Sequence, residues 1–151
     1  MNSKDLKEIT LARTKSARYL IRNRDWHGAA QMMGLALECA LKASICRTLR
    51  ISTYPEVHKD KLVPNFFMTH AFDRLLLVSG LWDIFSTTSS NPAAFQNWSD
   101  FTIQYQGDWI TMRYSPPSKS AFDKIMTENL YKYLYGDKNS IIKVISKKRR
   151  W

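Results

Sequence analysis

Apolar residues recur at helical spacing near the start of the chain and predict two helices there. The first runs from Ser3 to Asn23 and carries an apolar stripe opposite a basic one. Asp25 is a good N-cap for the second, which runs from Trp26 to Leu49 and is apolar or small around most of its circumference. A helix with so little polar surface needs neighbours on several sides. We therefore predict that the second helix is the centre of the fold.

Breaks in the pattern mark a third, shorter helix. Residues 51–68 are an irregular connection, after which Thr69 caps a helix running from His70 towards Ser79. The serine- and threonine-rich stretch at 86–90 is a polar linker.

Two more helices complete the prediction. The Asn-Pro pair at 91–92 supplies an N-cap and a first-turn proline for the fourth helix. This helix either ends at Gly107 or continues from Trp109 to Tyr114, and the Ser-Pro-Pro sequence at 115–117 stops it in either case. The last long helix begins near Ser118, places Ile125 in the core and ends at Gly136. We predict an all-α fold, an antiparallel up-and-down bundle of about five helices over residues 1–136. A basic C-terminal segment, 137–151, follows it.

Length and composition agree with a single soluble helical domain. The chain has 151 residues and only 5 glycines and 5 prolines, too few for an all-β domain rich in tight turns. Its mean hydropathy is −0.37, and no uninterrupted apolar run approaches the ~18 residues of a membrane span. The N-terminus lacks a signal-peptide core, so that a cytoplasmic location without membrane attachment is expected.

The two cysteines predict neither a disulfide nor a zinc site. Cys39 and Cys46 are seven residues apart in one predicted helix, about 10 Å along its axis, beyond disulfide reach. No CxxC or Cys/His spacing supports zinc, and no metal or other cofactor is expected.

Positive charge is concentrated at the two ends of the chain. The net charge is +10, and residues 1–24 carry +5 and residues 138–151 carry +6, so that the rest is nearly neutral. If the fold brings the ends together, they form a surface for a polyanion such as nucleic acid. The alternative is that these basic residues lie on ordinary solvent-exposed helix faces and in an unstructured tail. The basic side chains predicted to contact nucleic acid are Lys4, Lys7, Lys15, Arg18, Arg22, Lys147, Lys148, Arg149 and Arg150.

Charged residues in apolar surroundings are the next candidates. Glu38 and Lys42 are spaced i, i+4 in the second helix, which suits either a ligand site or an ordinary surface ion pair. Helical geometry places Arg13 in the middle of the apolar face of the first helix, where it needs a partner. Glu38 is the one acid in the interior of the second helix, so we predict an Arg13–Glu38 pair.

Common catalytic signatures are missing from the sequence. It contains no glycine-rich phosphate loop, no GxSxG and no HExxH, which argues against P-loop, nucleophile-elbow and zinc-protease chemistry. The three histidines, His27, His58 and His70, fall in a helix start, a loop and another helix start, where histidines usually serve as caps or core-edge residues.

Several weak motifs occur in an order that resembles the HEPN domain family of helical proteins. The segments 17–20, 25–32 and 36–43, with the Glu38-x-x-x-Lys42 pattern, are similar to its first two helices. Thr69-His70-Ala71-Phe72 resembles the short third helix, and Met112-Arg113-Tyr114 the end of the fourth. The resemblance spans most of residues 10–135. It implies a HEPN-like bundle over residues 1–136, and a homodimer.

The resemblance also implies ribonuclease chemistry, with one departure. Many members of the family are metal-independent ribonucleases, often toxins of toxin–antitoxin pairs, that use an arginine followed four to six residues later by a histidine. Arg113 matches the arginine, but positions 118–120 are Ser118, Lys119 and Ser120. None of these titrates near neutral pH as a proton shuttle must. His70 is a substitute only if the third helix brings it beside Arg113.

The departure favours a non-catalytic binding module over an enzyme. Its ligand would be RNA, a nucleotide or an antitoxin-like partner protein in a toxin–antitoxin or defence setting, held by Arg113, Tyr114, Glu38 and Lys42. One alternative is an active ribonuclease toxin using Arg113 and His70. Another is a structural subunit that docks its C-terminal segment on a partner. A plainer alternative for the site is that Arg113 caps the fourth helix and Tyr114 belongs to the core.

Overall fold

The computed structural model describes residues 1–55, 67, 69–105, 109, 111–147 and 151. Within those residues the regular structure is helical, and the predicted all-α fold is confirmed. The helices are α1 (Ser3–Arg22), α2 (Trp26–Thr48), α3 (Phe72–Val78), α4 (Trp82–Ser86), α5 (Pro92–Gln104), α6 (Lys124–Tyr131) and α7 (Ile141–Lys147). A π-helical turn, Lys132–Gly136, continues α6, and a short 3₁₀ turn, Pro117–Lys119, precedes it.

Helices α1 and α2 form an antiparallel hairpin whose ends are set by side-chain caps. Asn2 and Asp5 form a capping box at the start of α1, and the Asp25 side chain accepts a hydrogen bond from the Gly28 amide at the start of α2. Between the helices Arg24 adopts φ 60°, which turns the chain sharply. At the other end of the hairpin, Asn2 pairs with Thr53 in an isolated antiparallel bridge.

Helix α2 lies at the centre of the fold, as its all-round apolar pattern predicts. Most of its side chains are buried, and α1, α3, α6 and α7 all pack against it. It is also the one described helix long and apolar enough to cross a membrane by length and composition. Because most of that helix is buried inside the protein, it fits the core of a soluble protein.

Helix α1 turns a different face to α2 from the one predicted. Its buried residues are Leu6, Thr10, Thr14 and Ala17. The Thr10 hydroxyl donates to the Leu6 carbonyl at 2.9 Å, and this internal hydrogen bond lets a polar residue face the core. Arg13 is consequently exposed on the flank of the helix instead of pointing inward.

The segment around α3 differs from prediction in its boundaries. Helix α3 begins at Phe72 and not at His70, and Thr69 accepts a hydrogen bond from the Ala71 amide before the helix starts. Gly80, at φ 71°, turns the chain into the unpredicted α4. This short helix buries Ile84 and Phe85. It has too few turns for an apolar period to be visible in the sequence.

The last long helix starts later than predicted. Asp123 caps α6 at Lys124, so that residues 120–122 are extended chain and Ile125 is 68% exposed instead of lying in the core. Thr127 donates to the Trp26 carbonyl at 3.4 Å and joins α6 to the start of α2. Helix α7 buries its apolar side in the same core through Ile141, Ile142, Val144 and Ile145.

Aromatic rings fill the core beneath the segment that carries Arg113. Phe72 packs against Phe101 and Trp109 with ring centroids 5.4 and 5.7 Å apart. Phe101 stacks on Tyr105, whose hydroxyl donates to the Met126 carbonyl. Burial raises the pKa of Tyr105 to about 12, so this hydrogen bond persists at every physiological pH.

Gly34 sets how closely Trp109 approaches α2. A Cβ at this position would overlap the six-membered ring of the indole. Glycine inside a helix is normally less stable than alanine, so the contact with Trp109 is a clear reason for its presence here.

Gly34→Ala is therefore expected to destabilise the protein, by about 1–3 kcal/mol, because the added methyl group overpacks the Trp109 site. The measurement is urea-induced unfolding followed by circular dichroism. In a Trp109→Leu background the same change should cost less, with a coupling of more than about 0.5 kcal/mol between the two positions. A Gly34→Ala protein as stable as the unmodified chain would contradict this account of the packing.

Candidate functional site

Four of the predicted site residues meet at one buried carboxylate, that of Glu38. Glu38 is 6% exposed in the middle of α2. Its Oε1 lies 3.0 Å from Lys42 Nζ and 2.8 Å from His70 Nδ1, and its Oε2 lies 3.8 Å from Arg113 Nη1. We call Glu38, Lys42, His70 and Arg113 the Glu38 cluster.

Lys42 belongs to the buried half of the cluster. It follows Glu38 by one turn of α2, and it is 9% exposed, which excludes the ordinary surface ion pair considered from the sequence. Its ammonium lies 4.9 Å from the centroid of the Tyr54 ring, a cation–π distance. Lys42 therefore holds Glu38 and the chain after α2 together.

His70 reaches the cluster from the turn that precedes α3. The Thr69 side chain closes this turn by accepting from the Ala71 amide at 3.0 Å. Because His70 Nδ1 contacts Glu38, its Nε2 is left for other partners, and the side chain is 45% exposed. The carboxylate thus orients an imidazole that still reaches solvent.

Arg113 approaches from the opposite side and is held less firmly. At 3.8 Å its contact with Glu38 is an ion pair but not a hydrogen bond, and Glu38 Oε2 is buried without a hydrogen-bond partner. The guanidinium also lies 5.8 Å from the Trp109 ring centroid and 5.7 Å from that of Tyr114. The Arg113 side chain is 24% exposed, so it can turn towards a ligand while remaining beside the two aromatic rings.

Tyr114 is on the surface beside the cluster. It is 79% exposed, so the alternative that it belongs to the core is wrong. The Arg113 side chain points to Glu38, and its interaction with this carboxylate replaces the helix-capping role considered above. Arginine and an exposed aromatic ring are consequently neighbours at the rim of the Glu38 cluster.

The predicted Arg13–Glu38 pair is wrong. Arg13 is exposed, and its Nη1 lies 3.7 Å from the sulfur of Met32. The prediction assumed that the middle of the apolar face of α1 points towards the core. In the structure Thr10 and Thr14 point there instead. Besides Lys42 within α2, Glu38 contacts His70 and Arg113, which are remote in sequence and which spacing alone did not connect to it.

The basic residues of α1 point in more than one direction. Lys7 lines an open hollow of about 650 Å³ with Arg47, Arg50 and Trp151, so this hollow joins the start of α1, the end of α2 and residue 151. Lys4, Lys15, Arg18 and Arg22 are exposed. Burial raises the pKa of Tyr131, and the nearby charges of Arg18 and Arg22 act against that rise, which places these two arginines beside α6.

The predicted basic tail is only partly described. Lys147 is exposed and donates to the Lys138 carbonyl at 3.0 Å, whereas Lys148, Arg149 and Arg150 lie outside the described residues. Arg47 and Arg50 were not among the predicted contacts. The sequence feature that could have identified these two arginines as part of a basic surface is the lack of an acidic residue between the end of α2 and Pro55.

Neither a metal cluster nor a related protein identifies this site. In the described part of the chain, no three His, Cys, Asp or Glu side chains come together closely enough to hold a metal ion. No protein-family model, curated protein or solved structure matches the chain. The chemistry must therefore be inferred from the Glu38 cluster itself.

Glu38→Gln should lower stability by about 2–4 kcal/mol, because it removes the buried carboxylate that the basic groups of the cluster contact. The free energy of unfolding in urea measures this loss. Adding Lys42→Met to Glu38→Gln should recover part of it, since the buried ammonium is then removed as well. Glu8→Gln, on the exposed side of α1, is the matched control and should change stability by less than about 0.5 kcal/mol. Equal stability of the Glu38 and Glu8 variants would show that the carboxylate does not organise the cluster.

Proposed function

We propose that the chain is a non-catalytic, HEPN-like module that binds RNA or a nucleotide at the Glu38 cluster. The observation that carries the proposal is the position of Arg113, between a buried carboxylate and the exposed Tyr114 ring. The sequence motifs that resemble HEPN helices include Glu38, Lys42, His70 and Arg113, and this agrees with a shared role for them.

The charges of the Glu38 cluster favour an anionic ligand. One carboxylate faces two permanently charged groups, Lys42 and Arg113, and also the imidazole of His70. Lys42 is buried, whereas Arg113 and His70 are partly exposed. Arg113 and His70 are therefore the groups of the cluster that a phosphate can reach from solvent.

Tyr114 adds a surface for a nucleobase. An exposed aromatic ring next to an arginine allows a base to stack on the ring while the guanidinium binds the adjoining phosphate. The exposed cations of α1 and the hollow lined by Lys7, Arg47 and Arg50 add positive charge elsewhere on the surface, which favours the approach of a polyanion. These features support RNA over a ligand recognised by its apolar groups. A homodimer and a cytoplasmic location remain predictions.

A ribonuclease is the second candidate, because His70 is oriented by Glu38 through a 2.8 Å contact. In that reaction His70 would take the proton of an RNA 2′-hydroxyl, whose oxygen attacks the adjacent phosphorus to form a 2′,3′-cyclic phosphate. The bond to the 5′-oxygen breaks, and that oxygen takes a proton from water. Arg113 would stabilise the charge on the phosphorane. The carboxylate–imidazole contact is the observation that keeps this activity under consideration.

Docking of the C-terminal segment on a protein partner has less support. The side chains of Ile141, Ile142, Val144 and Ile145 are buried in the core of the chain itself. To form an apolar docking surface, these side chains would first have to leave that core.

Binding of fluorescent single-stranded RNA should be detectable by anisotropy at low salt and should weaken steeply as salt is added. Tyr114→Ala should weaken it by about 5- to 150-fold, the range expected for one lost base stack. Arg113→Ala should weaken binding and reduce the salt slope by about 0.7. Lys138→Ala removes one positive charge elsewhere and should leave affinity within about twofold. Absence of binding at low salt, or an unchanged Arg113→Ala protein, would exclude this site.

Cleavage separates the two candidate functions. Purified protein incubated with transfer RNA and mixed RNA in the presence of a chelator is expected to produce no fragments beyond those of a mock preparation. Fragments that appear with the unmodified chain and disappear with His70→Ala would instead establish the ribonuclease. Fragments that persist in the His70→Ala protein would indicate a contaminating nuclease.

A further inference from the structure

A second hollow, with several polar side chains in a largely apolar wall, lies at the opposite end of α2 from Lys42. It has a volume of about 300 Å³ and is formed where the first turn of α2 faces residues 111–122. His27, Ser115, Lys119, Ser120 and Phe122 are part of its wall. His27 and Glu38 are separated by about 16 Å along the helix axis, so this hollow is distinct from the Glu38 cluster.

The hydrogen bonds of His27 determine which ring nitrogen carries its proton. The Gln31 side-chain nitrogen donates to the Met112 carbonyl at 3.3 Å, which identifies that atom as the amide nitrogen and not the oxygen. The same nitrogen lies 3.0 Å from His27 Nε2, so Nε2 accepts the second amide hydrogen. In a neutral imidazole the proton is then on Nδ1.

His27 Nδ1 is therefore a buried donor that lacks an acceptor. His27 is 7% exposed, and its Nδ1 has no hydrogen-bond partner. Leaving such a group unsatisfied is unfavourable, and native proteins rarely do so without a functional reason. An oxygen-rich group bound in the hollow is a reason of this kind.

Two further polar groups of the hollow are donors, whereas the Ser115 hydroxyl already donates its hydrogen to the Thr111 carbonyl at 2.8 Å. The Ser120 hydroxyl oxygen accepts from the Phe122 amide at 3.1 Å, which leaves its own hydrogen to be donated. Lys119 is exposed and forms no ion pair within the described ranges. No acidic side chain is among the described residues of the wall. An ammonium, a hydroxyl and an imidazole N–H together match an oxyanion.

We propose that this hollow binds a phosphate oxyanion through Lys119, Ser120 and His27. Because Nδ1 is covered, the oxyanion reaches it only with a small shift of the ring or of the neighbouring loop. The phosphate is either inorganic phosphate or the phosphate group of a nucleotide, since the same donors recognise both. The proposal does not depend on RNA binding at the Glu38 cluster.

The test compares the melting temperature of the full chain in sodium phosphate with that in sodium chloride of equal ionic strength. Phosphate should raise the melting temperature by about 2–4 °C more in the unmodified chain than in Lys119→Ala. Lys138→Ala, with the same loss of charge, should retain the full rise. Phosphate also stabilises proteins in general without binding to a site. Because this general effect is the same in both variants, a difference between them reports binding at Lys119. An equal rise in the unmodified chain and Lys119→Ala would overturn the proposal.

A second measurement observes His27 directly. The ¹⁵N resonances of the His27 ring should move when inorganic phosphate is added, and a ring that does not respond would also overturn the proposal. Adenosine 5′-monophosphate and adenosine identify the source of the phosphate. A larger effect of the monophosphate than of inorganic phosphate indicates a nucleotide, a smaller one indicates the free ion, and adenosine alone should have no effect. In Arg113→Ala the ¹⁵N resonances of the His27 ring should still move when phosphate is added, which separates this site from the proposed RNA site.

Discussion

A buried carboxylate in an apolar helix is the constraint on which the rest of the site depends. Glu38 is almost completely enclosed at the centre of the fold, where an uncompensated charge is highly unfavourable. Its counter-charges come from α2 itself, from the turn before α3 and from the segment that follows Trp109. Contacts with the Glu38 side chain thus bring three parts of the chain together.

The segment from Trp109 to Tyr114 is held in place by several contacts with α2. Trp109 packs against Gly34, the Met112 carbonyl accepts from Gln31, and Arg113 is attracted to Glu38. With these supports the segment separates the two candidate sites. Arg113 and Tyr114 face the Glu38 cluster and solvent, whereas Met112 lines the hollow beside His27.

Both sites present hydrogen-bond donors on basic or hydroxyl side chains to solvent. At the Glu38 cluster these are Arg113 and His70, and at the other hollow they are Lys119 and the Ser120 hydroxyl. Donors of this kind are what a phosphate ligand requires. For this reason the two proposals share a ligand chemistry while depending on different residues.

The sequence by itself determined the elements whose signals are local. Asp25 caps α2 as predicted, and the all-round apolar character of α2 predicts its central place. The i, i+4 spacing of Glu38 and Lys42 also predicts their contact, because helical neighbours meet regardless of the tertiary fold. Only the tertiary structure decided that His70 and Arg113 complete the cluster and that Arg13 does not. Those contacts depend on how α1 rotates about its axis and on where remote turns lie, and no short-range periodicity records either.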